Sequence, residues 1–283
     1  MPLEPAVRDD WHVLCRLADL AAHVPAGFRL LAHDVWATRD AKGAVSVRSA
    51  DGRALPVTLA YGHVFTSLGA PARPLFAIDE VAEPDRRLAT CGAVRVRASG
   101  LRLVENFLDM AHFPFVHTDI LGVEERPEVP RYDTEIRWDV DEVWATNCRF
   151  WQPLAAASSR GGQMSEYRYR VASPFNVMLY KTAPPDPARF DVIGLSIRAA
   201  EPDLSFAYAF LLLLDDATPA TTLIHFQQTI FLQDRIILEN QRPRLLPLSP
   251  KAETPTRADM SSVAYRRWLK AKGVRFGVFE AAP

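Results

Sequence analysis

Residues 105–122 read ENFLDMAHFPFVHTDILG and set Asn106, Asp109, His112 and His117 close together in a chain with 7 histidines. On an uninterrupted helix a spacing of five turns the second side chain about 140° away from the first. The rings of His112 and His117 would then point apart. Pro114 stands between them, and proline lacks an N–H and clashes with the carbonyl four residues back. A helix that bends or ends there aims both rings at one point. The stretch predicts a helix over 100–113, on which Asn106, Asp109 and His112 recur every three residues along one face. Asp109 then lies beside His112, and its carboxylate can accept a hydrogen bond from the ring, the usual support of a metal-binding histidine.

Two histidines and one carboxylate form the facial triad of non-haem Fe(II) oxygenases, which leaves positions open for substrate, water and O2. The third ligand has to be brought in by folding. Asp234, in FLQDRIILENQRP, is the strongest candidate, because Ile230, Ile237, Leu238 and Gln241 share its face at helical spacing. Zinc competes for the same donor types, although the zinc-hydrolase pattern H-E-x-x-H does not occur in this stretch. A helical histidine is more commonly structural, and H-x4-H alone matches many unrelated chains.

The rest of the sequence narrows the class. At 283 residues the chain has ample core for one large domain or two modest ones. A net charge of −1 without a lysine or arginine run argues against nucleic acid and anionic membranes as partners. Cys15, Cys91 and Cys148 are odd in number and far apart, which fits a reducing cytoplasm and not a disulfide framework. The start, MPLEPAVRDDWHVL, lacks the regions of a signal peptide. The apolar run FAYAFLLLL is too short to span a bilayer. A cytoplasmic location is expected.

Residues 10–70 read mostly as short strands, with turn chemistry at AKG and ADGR and alternation in VSVRS and HVFTS. The proline-rich stretch GAPARPLFAIDEVAEPDRR, 69–87, reads as a linker or domain surface. Strands are expected in TEIRWDVDEVWATNCRFW, SEYRYRVASPFNVMLYKT, FDVIGLSIRAA and LSFAYAFLLLLDD, where aromatic and β-branched residues dominate. The segment 218–243 is expected to begin as a strand and become a helix stopped by Pro243. A last helix is expected over DMSSVAYRRWLKAKG, with Asp259 or Ser261 as cap and Gly273 past its end. The sum is an α+β fold, an antiparallel sheet with a few helices packed on it.

The pattern N-x2-D-x2-H-x4-H, preceded by LRLVE and followed by TDILG, resembles the iron-binding segment of Rieske non-haem iron oxygenases, in the vanillate and methylxanthine demethylase branch. WHVLCRLADL resembles that branch's opening, LAYGHVFTSLGAP the end of its Rieske domain, and QDRIILENQRP its third-ligand helix. The resemblance implies a helix-grip catalytic domain over 96–283 and mononuclear Fe2+ held by His112, His117 and Asp234. It implies that Asp109 bridges the iron ligand to a cluster ligand on a neighbouring subunit, with Asn106 in a supporting role. It also implies O2 as co-substrate, a homo- or hetero-trimer, and room for an accessory subunit.

One feature departs from that family. A Rieske [2Fe–2S] centre needs C-x-H and C-x2-H, whereas Cys15, Cys91 and Cys148 are followed two places on by Leu17, Ala93 and Phe150. The strands FRLLAHDVWATRD and VRSADGRALPV run into each other without cluster loops. Residues 1–95 thus read as a shrunken Rieske-like β domain without a [2Fe–2S] cluster, and electrons must come from a separate Rieske-cluster-bearing reductase. That arrangement resembles the N7-demethylating subunit of bacterial caffeine catabolism, and implies a monooxygenase converting 7-methylxanthine to xanthine and formaldehyde. Phe175, Asn176, Gln227, Gln228 and Gln233 lie in segments that can offer aromatic or amide contacts to a flat purine dione. Competing readings are a non-catalytic structural subunit, an O-demethylase or hydroxylase of an aromatic acid, and a zinc hydrolase.

Overall fold

A computed structural model describes residues 3–159 and 161–279. After the short helix α1 (Pro5–Arg8), the alternating N-terminal runs form β1 (His12–Arg16), β2 (Ala26–Leu30), β3 (His33–Arg39), β4 (Val45–Ser49), β5 (Ala54–Leu55), β6 (Val57–Ala60) and β7 (His63–Thr66). They make two small sheets, ordered β1-β7-β6 and β2-β3-β4-β5. The remaining long strands are β8 (Arg87–Val96), β9 (Asp133–Arg137), β10 (Glu142–Gln152), β11 (Gln163–Ser173), β12 (Asn176–Ala183), β13 (Asp186–Glu201) and β14 (Leu204–Leu213). They form a 7-stranded antiparallel sheet in the order β8-β14-β13-β12-β11-β10-β9. Its first strand thus comes from just before the resembled catalytic segment. The expected α+β architecture, a large antiparallel sheet gripped by helices, is what forms.

The large sheet is covered on both faces. Along β12 (NVMLYKTA) only Thr182 is not buried. Tyr169, Leu179, Ile193, Leu211 and Ala89 are successive cross-strand partners on the inner face. There α4 (Ala220–Asn240) lies over the sheet, burying Leu223, Phe231, Asp234 and Leu238. The segment expected to begin as a strand is therefore helical from Ala220 onward. Thr221, Thr222 and Ile224 carry β propensity, but a stripe buried at helical spacing overrides it.

The helix expected over 100–113 is two. α2 (Gly100–Leu108) starts at Ser99, whose hydroxyl accepts from the Leu101 N–H at 3.2 Å, and ends with Asp109 as its cap residue. α3 (Phe113–Val116) begins after a break, with Pro114 in its first turn, where a missing N–H loses no intrahelical bond. The final helix α5 (Met260–Ala271) follows a capping box between Thr256 and Asp259. Gly273 sits past its end at φ +70°.

The stretch 69–87, read as linker or surface, also works as a cover. Its Phe76 and Ile78 pack on the outer face with Met178, Tyr180, Val192 and Phe210. Tyr61, from the turn before β7, stacks on Phe210 at 5.1 Å between ring centroids. Phe210 lies on Gly194, its register partner, so closely that a Cβ there would stand 2.0 Å from the ring's Cζ. Gly194→Ala should therefore cost about 1–3 kcal/mol by overpacking. Thermal unfolding should register a lower midpoint with unchanged metal content; an unchanged midpoint would show that the stack can yield.

Candidate metal centre

The break between α2 and α3 positions the two histidines. His112 is the residue before α3 and His117 the residue after it. One short turn therefore separates the rings, and they meet with Nε2 atoms 3.2 Å apart. Asp234, from the buried stripe of α4, brings Oδ1 to 3.3 Å from His112 Nε2 and 3.0 Å from His117 Nε2. The spacing reading placed Asp109 and His112 on one helical face; instead Asp109 caps the helix and His112 lies in the turn beyond it. The contact survives in that other geometry. Asp109 Oδ2 lies 2.9 Å from His112 Nδ1, and Oδ1 accepts the Ala111 N–H at 2.8 Å.

The far nitrogen of His117 is held as well. Its Nδ1 lies 2.8 Å from Gln233 Oε1. A carboxylate and an amide carbonyl only accept, so each Nδ1 carries the proton and each Nε2 presents a lone pair. Two lone pairs and a carboxylate oxygen then converge in a buried place. His112, His117 and Asp234 offer ligand atoms within 4.8 Å of one another. Such a set of acceptors is repulsive unless a cation, or a proton, stands among them. Burial opposes charge on His112, but the Asp109 and Asp234 carboxylates outweigh it and raise its pKa to about 9. Burial likewise opposes the Asp234 charge, and His112 and His117 nonetheless hold its pKa below the usual carboxylate value. Two imidazole nitrogens and one carboxylate fit a divalent first-row metal with open positions. Asn106 donates its amide at 3.4 Å to the same Asp234 Oδ1 that faces the two histidines.

A cavity opens from these donors between α4 and the sheet, walled by Phe107, Phe113, Leu211, Leu213, Phe226 and Phe231. Of the five residues read as substrate contacts, Gln227 lines it. The other four are placed elsewhere. Phe175 is buried beneath α2, where a Cβ on Gly100 would meet its ring at 2.9 Å. Asn176 donates to Trp11 O and Ser173 Oγ, and Gln228 donates to the Cys91 carbonyl at 2.7 Å. Gln233 faces His117. Of the residues read as sharing the inward face of Asp234, Leu238 is buried while Ile237 is 49% exposed. The sequence reading missed the roles of Gln152, Tyr169 and Lys181, which line the cavity from the sheet. Their inward period-two spacing was visible, but which face looked inward was not.

This geometry defines a class: an antiparallel sheet gripped by a helix that carries one of three convergent metal donors. The vanillate O-demethylase oxygenase C-terminal domain family matches residues 96–275. The probable methylxanthine N7-demethylase NdmC of Pseudomonas sp. (strain TJI-51) is 46% identical over 272 residues, covering 96% of this chain and 96% of that one. Among solved structures, NdmA of Pseudomonas putida CBB5 with caffeine superposes with a TM-score of 0.75 at 17% identity, covering 93% of this chain and 90% of that chain. Dicamba monooxygenase bound to dicamba superposes with a TM-score of 0.66 at 15% identity, covering 98% of this chain and 92% of that chain. The chain belongs to the Rieske non-haem iron oxygenases, with the catalytic domain of the vanillate O-demethylase oxygenases. It is an oxidoreductase of a family that uses mononuclear iron. No helix among the described residues is long and apolar enough to cross a membrane.

Gln233→Leu should weaken Fe(II) binding about 10- to 100-fold, as loss of a group that orients a ligand does. Competition with a colorimetric chelator measures this. Unchanged affinity would show that His117 needs no such support.

Proposed function

We propose that this chain is the catalytic subunit of an oxidative N-demethylase that acts on a methylxanthine, with 7-methylxanthine giving xanthine and formaldehyde. The observation that carries the reading is an intact His112–His117–Asp234 donor set in a chain that matches a probable methylxanthine N7-demethylase over 96% of its length. In this reading those three residues hold Fe(II). Iron held there would supply the O2 chemistry that hydroxylates an N-methyl carbon, two electrons coming from the reductase and the second oxygen atom leaving as water, and the carbinolamine would then release formaldehyde. The chain's own residues do the rest. Asp109 and Gln233 keep the imidazoles in one tautomer, and Asn106 keeps the Asp234 carboxylate turned towards them. Phe107, Phe113 and Phe231 give a flat ring an apolar slot that excludes water.

We further infer that residues 1–95 are a Rieske-like unit without a cluster and 96–283 the iron domain, with β8 at their boundary joining the large sheet. In support, Cys15, Cys91 and Cys148 are buried on separate strands, and none is followed by histidine at the C-x-H or C-x2-H spacing a Rieske cluster needs. Electrons then come from a separate Rieske-bearing reductase. The Asp109 side chain, 26% exposed, reaches the surface where such a partner would dock over His112.

Formaldehyde release from a methylxanthine panel, with a cluster-bearing reductase, NADH and O2, tests the function. Release from the N7-methylated members is expected, and release from none of them would refute the reading. Asp109→Asn should keep most of its iron while reductase-driven turnover falls about 10- to 100-fold. Product formed through a peroxide shunt should fall much less; an equal fall by both routes would place the role of Asp109 at the iron site itself.

A further inference from the structure

The sheet face beneath α4 is apolar near the donors and polar at its far end. There Gln152 on β10, Ser165 on β11 and Lys181 on β12 surround Tyr167, the register partner of Lys181. Gln152 and Ser165 are 0% exposed and Lys181 is 6% exposed. Their hydrogen-bonding capacity is largely unused. The Gln152 amide nitrogen donates to the Leu121 carbonyl at 3.5 Å, while its Oε1 and the Ser165 Oγ make no hydrogen bond of good geometry and have only the Tyr167 hydroxyl beside them. Lys181 Nζ has three donor positions and donates to the Ala155 carbonyl. Burial pulls its pKa down to about 7, the Asp191 carboxylate working against that. Asp191, the cross-strand register partner of Lys181, makes no salt bridge with it among the described residues; its carboxylate accepts the Leu214 N–H at 2.8 Å and lies 3.6 Å from Arg86.

Buried polar groups in folded chains are nearly always paired, and each one left unpaired is destabilising. Apolar residues of the same size would serve a purely structural wall better. Gln152 and Lys181 both line the cavity that runs to His112, His117 and Asp234. Phe113 spans the distance, its ring centroid 5.4 Å from Phe150 and 6.4 Å from Tyr167. The polar end and the metal donors thus face one cavity, so a planar substrate held in it can present one edge to each.

We propose that Gln152 and Lys181 are specificity residues that read an N–H/C=O edge of the substrate ring, Gln152 Oε1 accepting from the ring N–H and Lys181 Nζ donating to the adjacent exocyclic oxygen. The proposal rests on the methylxanthine reading above and deepens it. An incompletely methylated xanthine offers such an imide edge. A methyl group on that nitrogen removes the donor and sets a carbon against a buried carbonyl oxygen. A site built to hydrogen-bond an N–H rejects the analogue lacking it far more strongly than an apolar pocket rejects an extra methyl. The chain should therefore take rings with a free imide N–H and refuse fully methylated ones.

The test pairs binding with turnover for the iron-loaded protein, its Gln152→Met variant and its Lys181→Met variant. The panel is 7-methylxanthine, 1,7-dimethylxanthine, 3,7-dimethylxanthine and caffeine. Wild type should bind 7-methylxanthine and discriminate strongly against caffeine. Each variant should raise Kd and KM for 7-methylxanthine about 10-fold, the loss of one buried hydrogen bond, while kcat stays within about 2-fold. Gln152→Met should also narrow the gap between 7-methylxanthine and caffeine. The Gln152→Met melting temperature should hold or rise, since an apolar isostere replaces an incompletely paired buried amide, whereas Lys181→Met also leaves the Ala155 carbonyl without its donor and should melt lower. Unchanged Kd in both variants, or a fall in kcat across the whole panel with a lower Gln152→Met melting temperature, would overturn the proposal. Wild-type binding to none of the panel would instead overturn the methylxanthine reading, and this assignment with it.

Discussion

The arrangement turns on three acceptors forced to meet. His112 Nε2, His117 Nε2 and Asp234 Oδ1 crowd within about one hydrogen-bond length in a site largely closed to water. Without a cation they repel, so something must hold each in place. Asp109 does so for His112, Gln233 for His117 and Asn106 for Asp234. Those supports need rigid mounts. α4 is fixed by burial of Leu223, Phe231 and Leu238. α2 is fixed at its start by Ser99, and by Arg102, buried between Glu105 and Glu253. The large sheet supplies the floor on which both rest.

Part of this was legible in the sequence, and the boundary between legible and illegible has physical causes. H-x4-H around Pro114 announced two converging rings, and Asp234 stood out as a carboxylate in an apolar stripe. The turn that aims the rings did not show. Proline was read as breaking a helix that in fact ends earlier, at Leu108, and Pro114 lies in the first turn of the next one. Long strands were readable because aromatic and β-branched residues dominate them, but TTLIHF carries the same residues and folds as helix. Its fate was decided by what the far side buries, a tertiary fact. Gln233 was noticed for the wrong reason, since an amide beside a ligand can face either a substrate or an imidazole.

The sheet's two faces divide the work. On the outer face Tyr61, Phe76 and Ile78 seal Phe210 and Tyr180, tying the N-terminal strands to the large sheet. The N–H groups of Leu31 and Ala32 add hydrogen bonds to the carbonyls of Ala199 and Ala200 at 2.7 and 2.8 Å. On the inner face, polar side chains with incomplete hydrogen bonding stand where a core would place leucine. A fold that tolerates incompletely paired Gln152 and Ser165 there gives up stability at that spot, and a bound ligand is what would return it.

Diffraction from crystals grown with Fe(II) under anaerobic conditions, collected on both sides of the iron absorption edge, addresses the central claim most directly. The account predicts one anomalous iron peak per chain, bounded by His112 Nε2, His117 Nε2 and an Asp234 oxygen. A peak elsewhere, or iron density lacking any one of those three donors, would contradict it.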